Sequence, residues 1–236
     1  MKIEEFGYSS VKGSLHEKEN IPNQDSYSVR KYKFGTILVV SDGLGSKKHS
    51  DLGSRSVGKA VDKAVQIWSA YSEKDIRLLL PLIVSIWNLE ISPYSQKECG
   101  ATCLFAIICN DGDLYLGQLG DGNIYVSIGE ELQLLSEKED DFTNLTVCMG
   151  SFSGYSDWTL KRIQVGEDAI GIVLMTDGVS ETIIEEKKEE FVRLLLKKIS
   201  SFSNLPKRNN FIYKLLSEWN PVNSGDDRTL ICYRRR

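Results

Sequence analysis

The chain has 236 residues, 41% of them hydrophobic and 26% charged, a balance that suits one large globular domain with a sizeable core. Its formal net charge of −4 disfavours nucleic acid as the main partner, and no apolar run approaches the ~20 residues needed to span a bilayer. Five cysteines without a CxxC pair and two histidines, His16 and His49, speak against a zinc site, a disulfide framework, an HExxH hydrolase and a Ser-His-Asp triad.

Residues 1–12 predict an opening strand with Phe6 and Tyr8 on one face. Residues 13–23 are polar and read as a loop, and Pro22 before Asn23-Gln24-Asp25 keeps a helix away from that turn. Short strands follow at 26–30 and 36–41. The second is an apolar, β-branched run that stops abruptly at Asp42-Gly43. Ser50-Asp51 is the expected N-cap of a helix over 52–70, whose Val57, Ala60, Val61, Ala64, Val65 and Trp68 recur at helical spacing.

A second helix is expected from Glu73 to Leu89, with Pro81 near its start, and Pro93 with residues 95–98 marks the break after it. Residues 99–109 are apolar on both faces and predict a central strand, followed by a hairpin turn at Asp111-Gly112. Residues 114–118 and 123–128 read as strands joined at Gly120-Asp121-Gly122, and 130–135 as one more. Residues 136–156 are expected to be loop, 158–165 an alternating strand and 170–176 a buried one.

Beyond Thr182 the spacing predicts a helix with Phe191, Leu194, Leu195 and Ile199 on one face. Glu185, Glu186, Glu189 and Glu190 fall in its first turns, where acidic residues suit the helix dipole. A last helix over about 206–219 begins at Pro206. The turn Ser224-Gly225-Asp226-Asp227, a strand over 229–233 and a solvated tail of Arg234, Arg235 and Arg236 close the chain.

Strands dominate the middle and helices come in pairs, which predicts an α+β fold with antiparallel sheets and not a doubly wound parallel one. No linker or composition shift divides the chain, so a single domain over 1–236 is expected. Trp68, Trp87, Trp158 and Trp219 are expected as core anchors, and the cysteines as buried free thiols. The N-terminus is acidic and carries no apolar leader pattern, which predicts a cytoplasmic protein.

Five acidic turns stand out: Asn23-Gln24-Asp25, Asp42-Gly43, Gly120-Asp121-Gly122, Asp177-Gly178 and Gly225-Asp226-Asp227. Asp-Gly is a common turn dipeptide, and Asp111-Gly112 needs no other explanation. Asp42 and Asp177 are different, because each directly follows a long buried strand and is delivered to the edge of a rigid sheet. Oxygen-only ligand sets of this kind suit Mg²⁺ or Mn²⁺. Two such ions lower the pKa of a shared water and neutralise charge on phosphate oxygens, without any protein nucleophile. The residues alone point to a divalent-metal site of hydrolytic type.

In order along the chain, PNQDSY (22–27), VVSDGLGSKKHSDLGSRSV (39–57), CGATCLFAII (99–108), GQLGDGNIYV (117–126), VLMTDGVSE (173–181) and GDDRTLICY (225–233) resemble the motifs of the metal-dependent Ser/Thr protein phosphatases of the PPM type. This is the protein phosphatase 2C family, and the forms QDS, DGLGS and DDRTL resemble a bacterial subgroup of it. The resemblance implies a central sandwich of two antiparallel β-sheets flanked by helix pairs on both faces. It also implies catalytic roles for Asp42, Asp177 and Asp226 at a centre of two Mg²⁺ or Mn²⁺ ions, with a third, weaker ion near Asp121. Asp42 is expected to bridge the ions and the Gly43 carbonyl to bind the second, while Asp177 and Asp226 complete the shell of the first. Asp227 is expected as support behind them.

Three departures from the family pattern matter. Gln24-Asp25 stands where members commonly carry Glu-Asp, so the second ion is met by a neutral amide. No arginine lies between Gly13 and Asp25 to hold substrate phosphate; His16 and Lys18 are the stand-ins, each also readable as a solvated loop residue. Leu44 replaces a histidine of the eukaryotic members. Lys47 and Lys48 offer a positive rim beside the DGLGS turn, or a plain loop into a helix.

The activity expected from the resemblance is hydrolysis of phosphoserine and phosphothreonine on protein substrates by a metal-activated water. The rival expectation is a catalytically weak or inactive scaffold of the same fold that binds a partner or phosphoprotein. A hydrolase of small phosphorylated molecules is the third. No nucleic-acid or membrane partner is expected, and the sequence leaves the oligomeric state open.

Overall fold

A computed structural model describes residues 3–71, 75–135, 147–152, 154–166, 168–219 and 225–236. Two compact units emerge from its contacts. One comprises 1–23, 122–136 and 167–236, the other 24–121 and 137–166. Each unit holds one antiparallel five-stranded sheet and its own helices, so the fold is α+β, as expected.

The unit over 24–121 and 137–166 contains β2 (Ser26–Tyr32), β3 (Gly35–Ser41), β4 (Cys103–Cys109), β5 (Asp113–Leu119) and β8 (Thr159–Gln164). They lie in the order β2-β3-β4-β5-β8, which puts the expected central strand in the middle of its sheet. Every residue of β3 and β4 is buried, the physical meaning of an apolar run without alternation. Ile37, Val39, Phe105 and Ile107 pack on one face against α2 (Ser50–Trp68) and α3 (Leu79–Glu90). Trp68, Trp87 and Trp158 sit in that core.

The N-cap of α2 differs from the expected Ser50-Asp51. His49 occupies the cap without a side-chain capping bond, and Ser50 is already helical and fully buried. The second helix starts at Leu79, just before Pro81 as expected, after a short turn at Ile76–Leu78, and Glu73 lies outside the described residues. Residues 136–146 and 153 of the expected 136–156 loop lie outside them too.

The other unit contains β1 (Glu4–Val11), α1 (Ser14–Glu19), β6 (Asn123–Ile128), β7 (Glu131–Leu135), β9 (Ile170–Met175), α4 (Asp177–Ser180), α5 (Glu185–Ile199), α6 (Leu205–Glu218) and β10 (Arg228–Arg235). Its sheet runs β1-β10-β9-β6-β7. Val173, Met175, Leu230 and Cys232 pack against Val192, Leu195, Leu196 and Ile199 of α5 and against Ile212 and Leu216 of α6. Asn204 caps α6 by accepting from the Lys207 amide, leaving Pro206 in the first turn, where its missing N–H costs nothing.

Three expectations change here. Residues 14–19, read as loop, form α1, ended by Asn20 in the left-handed conformation. Leu194 is 59% exposed, because the buried stripe of α5 is Val192, Leu195, Leu196 and Ile199. The expected arginine tail is strand: Arg234 and Arg235 belong to β10, and Arg236 pairs with Glu5 at 3.0 Å. Gly120-Asp121-Gly122 joins β5 to β6 as expected, and the two strands belong to different sheets. All five cysteines are buried, and none is in a disulfide, as expected.

Candidate functional site

In the first-described unit, the DGLGS turn is held by the segment just before β4. Ser41 Oγ donates to the Thr102 carbonyl at 2.6 Å, the Asp42 amide donates to Thr102 Oγ1 at 2.8 Å, and the Thr102 amide returns to the Asp42 carbonyl at 2.7 Å. Gly43 bridges Ala101, and the Leu44 amide donates to the Gly100 carbonyl. The carboxylate of Asp42 therefore leaves a backbone fixed on both sides. Gly43 has no room for a side chain, since a Cβ would stand 2.5 Å from the Ser50 carbonyl and 2.8 Å from that of Gln24.

Asp121 sits between Gly120 and Gly122, both with positive φ (88° and 96°), a turn only glycines make cheaply. Asp42 and Asp121 each bring a carboxylate oxygen to within 4.8 Å of the other. Gln24 and Asp25 are both buried, and the Gln24 carbonyl accepts from the Gly43 amide at 3.1 Å. Hard oxygen donors grouped at this spacing fit a small divalent cation. Lys47 lies half-buried with its stem over Gly100, whereas Lys48 is exposed. Burial pushes the nearby Cys148 thiol up, Lys47 pulls against that rise and Asp121 adds to it.

In the other unit, β9 and β10 end together. The Thr176 amide donates to the Thr229 carbonyl, and the Thr229 amide donates to Thr176 Oγ1 at 3.0 Å. Asp177 opens α4 and accepts from the Gly178 amide at 2.7 Å. A Cβ on Gly178 would meet the Asp227 carbonyl at 2.0 Å. The motifs TDG and DDRT are thus two sides of one junction, and the glycine is what lets them close.

Asp226 is exposed and accepts from the Asp227 amide, while Asp227 is buried. Asp227 Oδ1 accepts from the Gly13 amide at 2.7 Å, and Oδ2 lies 2.9 Å from His16 Nδ1. Because an ionised carboxylate only accepts, His16 Nδ1 is the donor. His16, Asp226 and Asp227 bring one ligand atom each within 4.8 Å. His16 is accordingly not a loop surface residue: α1 presents it and Asp227 orients it. Lys18 is exposed.

Two features had no signal in spacing. Thr102 reads as an ordinary strand residue until it is seen clamping Asp42. The His16–Asp227 pair joins residues 211 positions apart, a distance that no local pattern spans.

Two antiparallel five-stranded sheets whose strand ends carry grouped acidic side chains define an α+β protein with carboxylates placed to meet a cation. Residues 12–217 match the family model of protein phosphatase 2C, and the chain belongs to that family. The match stops short of Asp226 and β10.

Among solved structures, the chain is similar to the serine/threonine phosphatase Stp1 from Staphylococcus aureus at 18% identity and a TM-score of 0.71, covering 98% of this chain and 94% of that one. It is similar to the catalytic domain of the serine threonine protein phosphatase PstP, solved with two manganese ions, at 16% identity and a TM-score of 0.65, covering 100% and 99%. It is also similar to RsbX in complex with magnesium, at 14% identity and a TM-score of 0.63, covering 99% and 96%. At such identities these likenesses establish the fold. A search of curated proteins finds no match. Family and fold together support a protein phosphatase function with acidic groups suited to metal.

Proposed function

We propose that this chain is a Mg²⁺- or Mn²⁺-dependent phosphatase that hydrolyses phosphoserine and phosphothreonine on protein substrates, the whole of 1–236 acting as one catalytic domain. The family match running through both units supports the single domain. The observation that carries the chemistry is Asp42: a half-buried carboxylate on a doubly clamped backbone, with Asp121 beside it and the crowded Gly43 next in sequence.

The ions would be held by Asp42, the Gly43 carbonyl, Asp177 and Asp226, with Gln24, Asp25 and Asp121 serving the second and a weaker third. When bound, such ions supply an activated water for attack at phosphorus and positive charge for the phosphate oxygens. The chain's own contribution is rigidity. Thr102 fixes where Asp42 points, Gly178 lets Asp177 and the Asp226-Asp227 turn share one strand end, and Asp227 aims His16. With no arginine in the 13–25 segment, His16 is the chain's candidate contact for substrate phosphate: with Nδ1 donating to Asp227, Nε2 offers a second N–H to phosphate only when the ring is the imidazolium.

The test is turnover of a phosphoserine peptide with added Mn²⁺. Asp42→Asn and Asp177→Asn should each lower kcat by at least ~100-fold, an estimate from the loss of one preorganised charge in such sites. Retained turnover by both variants would falsify the proposal.

A second reading, a scaffold that binds without turnover, is favoured by one observation. Gln24, where the family places a carboxylate, is buried and neutral, which weakens one metal site.

A further inference from the structure

We propose that the recess along the second half of α5 is a binding site for a small phosphate-type polyanion, separate from the acid-ended strands. The recess has a volume of about 490 Å³, within the range of sites for compact ligands. Its floor is the start of β9, with Gly171 as the close-packed point: a Cβ there would meet Leu196 Cδ1 at 2.7 Å. One wall is the β6–β7 turn and the other is α5.

Three cations line it: Arg193, Lys197 and Arg234. The only carboxylate among the lining side chains is that of Glu130. Among the described residues, none of these cations has an ion-pair partner, Glu130 included, whereas Arg30, Arg55, Arg77, Arg162, Arg208 and Arg236 each meet a carboxylate.

Both guanidiniums are nonetheless anchored. Arg193 Nη1 donates to the Glu130 carbonyl at 2.9 Å, and Arg234 Nη1 donates to Ser200 Oγ at 3.0 Å. Each arginine is thereby held in place through one terminal nitrogen, and among the described residues neither guanidinium makes a further hydrogen bond. Three like charges converging without a counter-ion repel one another, and a dianionic ligand removes that cost while meeting the planar donor geometry that arginine offers phosphate.

The site is also remote from the strand end. Ile170 and Asp177 are seven residues apart along β9 and its continuation, roughly 20 Å at the rise of a strand. The ligand class is therefore a phosphate-bearing small molecule that is held there, not turned over.

The experiment is calorimetric titration of the full chain with pyrophosphate in EDTA, so that no ion bridges the probe to Asp42. Binding is expected, together with at least ~10-fold weakening in Arg193→Gln and in Lys197→Glu, and unchanged affinity in Asp42→Asn. Lys197 is exposed and makes no contact that the fold needs, so its variant stays informative should Arg193→Gln loosen the β6–β7 turn. Absence of binding at millimolar pyrophosphate, equal binding by Lys197→Glu, loss in Asp42→Asn, or displacement by chloride at matched ionic strength each overturns the proposal. No outcome depends on whether the chain has phosphatase activity.

Discussion

Single residues in this chain do work that their neighbours in sequence do not announce. Glu5, in the opening strand, is 6% exposed and gathers Ser200, Arg208 and Arg236 around one carboxylate. Burial alone would raise its pKa, but the hydrogen bonds from Ser200 and Arg236 and the charges of Arg236 and Arg208 outweigh it and hold the carboxyl below the ordinary value of 4.5. A depressed carboxylate stabilises the fold above its unfolded-state pKa, and that contribution is lost as pH falls through the folded value. Glu5→Gln should therefore lower unfolding stability by roughly 1–2 kcal/mol at pH 7, since a charged hydrogen-bond acceptor is lost while Arg236 remains partly solvated. The gap should narrow as pH falls below 4.5 and close once pH has passed through the lowered folded-state value, because Glu5 then carries a proton and both proteins are neutral at this position. Urea titrations at pH 7 and pH 3 read this directly. A constant gap would show that the charge contributes nothing.

At the scale of elements, periodicity located nearly every strand and helix, and where it slipped the reason is geometric. Three leucines stand together at Leu194, Leu195 and Leu196, and 3.6 residues per turn cannot bury all three. The helix turns Leu195 and Leu196 inward beside Val192 and Ile199 and leaves Leu194 in solvent. Leu195→Ala should cost about 2–4 kcal/mol through lost packing on β9 and β10, while Leu194→Ala should stay within about 0.5 kcal/mol. Chemical denaturation of the two variants side by side decides it, and equal losses would contradict the orientation of α5. The six-residue α1 was illegible for another reason. It buries no residue, so it leaves no apolar period, and its order comes from the Leu15 amide on the Gly225 carbonyl and from His16 on Asp227.

For the molecule as a whole, the question is whether the acidic turns act together on metal. Calorimetric titration with Mn²⁺ should reveal more than one class of site, with a second class weakened because Gln24 offers an amide where a carboxylate would bind harder. Gln24→Glu should tighten that class by ~10-fold or more, an expectation from adding one formal charge to the ligand set. Absence of any Mn²⁺ binding at millimolar concentration would favour the scaffold reading. Among the described residues, no helix is long and apolar enough to cross a membrane.

The residue pattern was enough to place the buried strands, because a run apolar on both faces has no stable place outside a sheet covered on both sides. It also singled out Asp42 and Asp177 as the acids to test, because each stops such a run at a glycine. The order of its motifs carried the family. The long-range pairings came only with folding: Thr102 on Asp42, Asp227 on His16, Glu5 on Arg236, and three cations gathered around one recess. These bonds join residues that are far apart in the chain, and periodicity records only which face an element buries, not which distant side chain will meet it there.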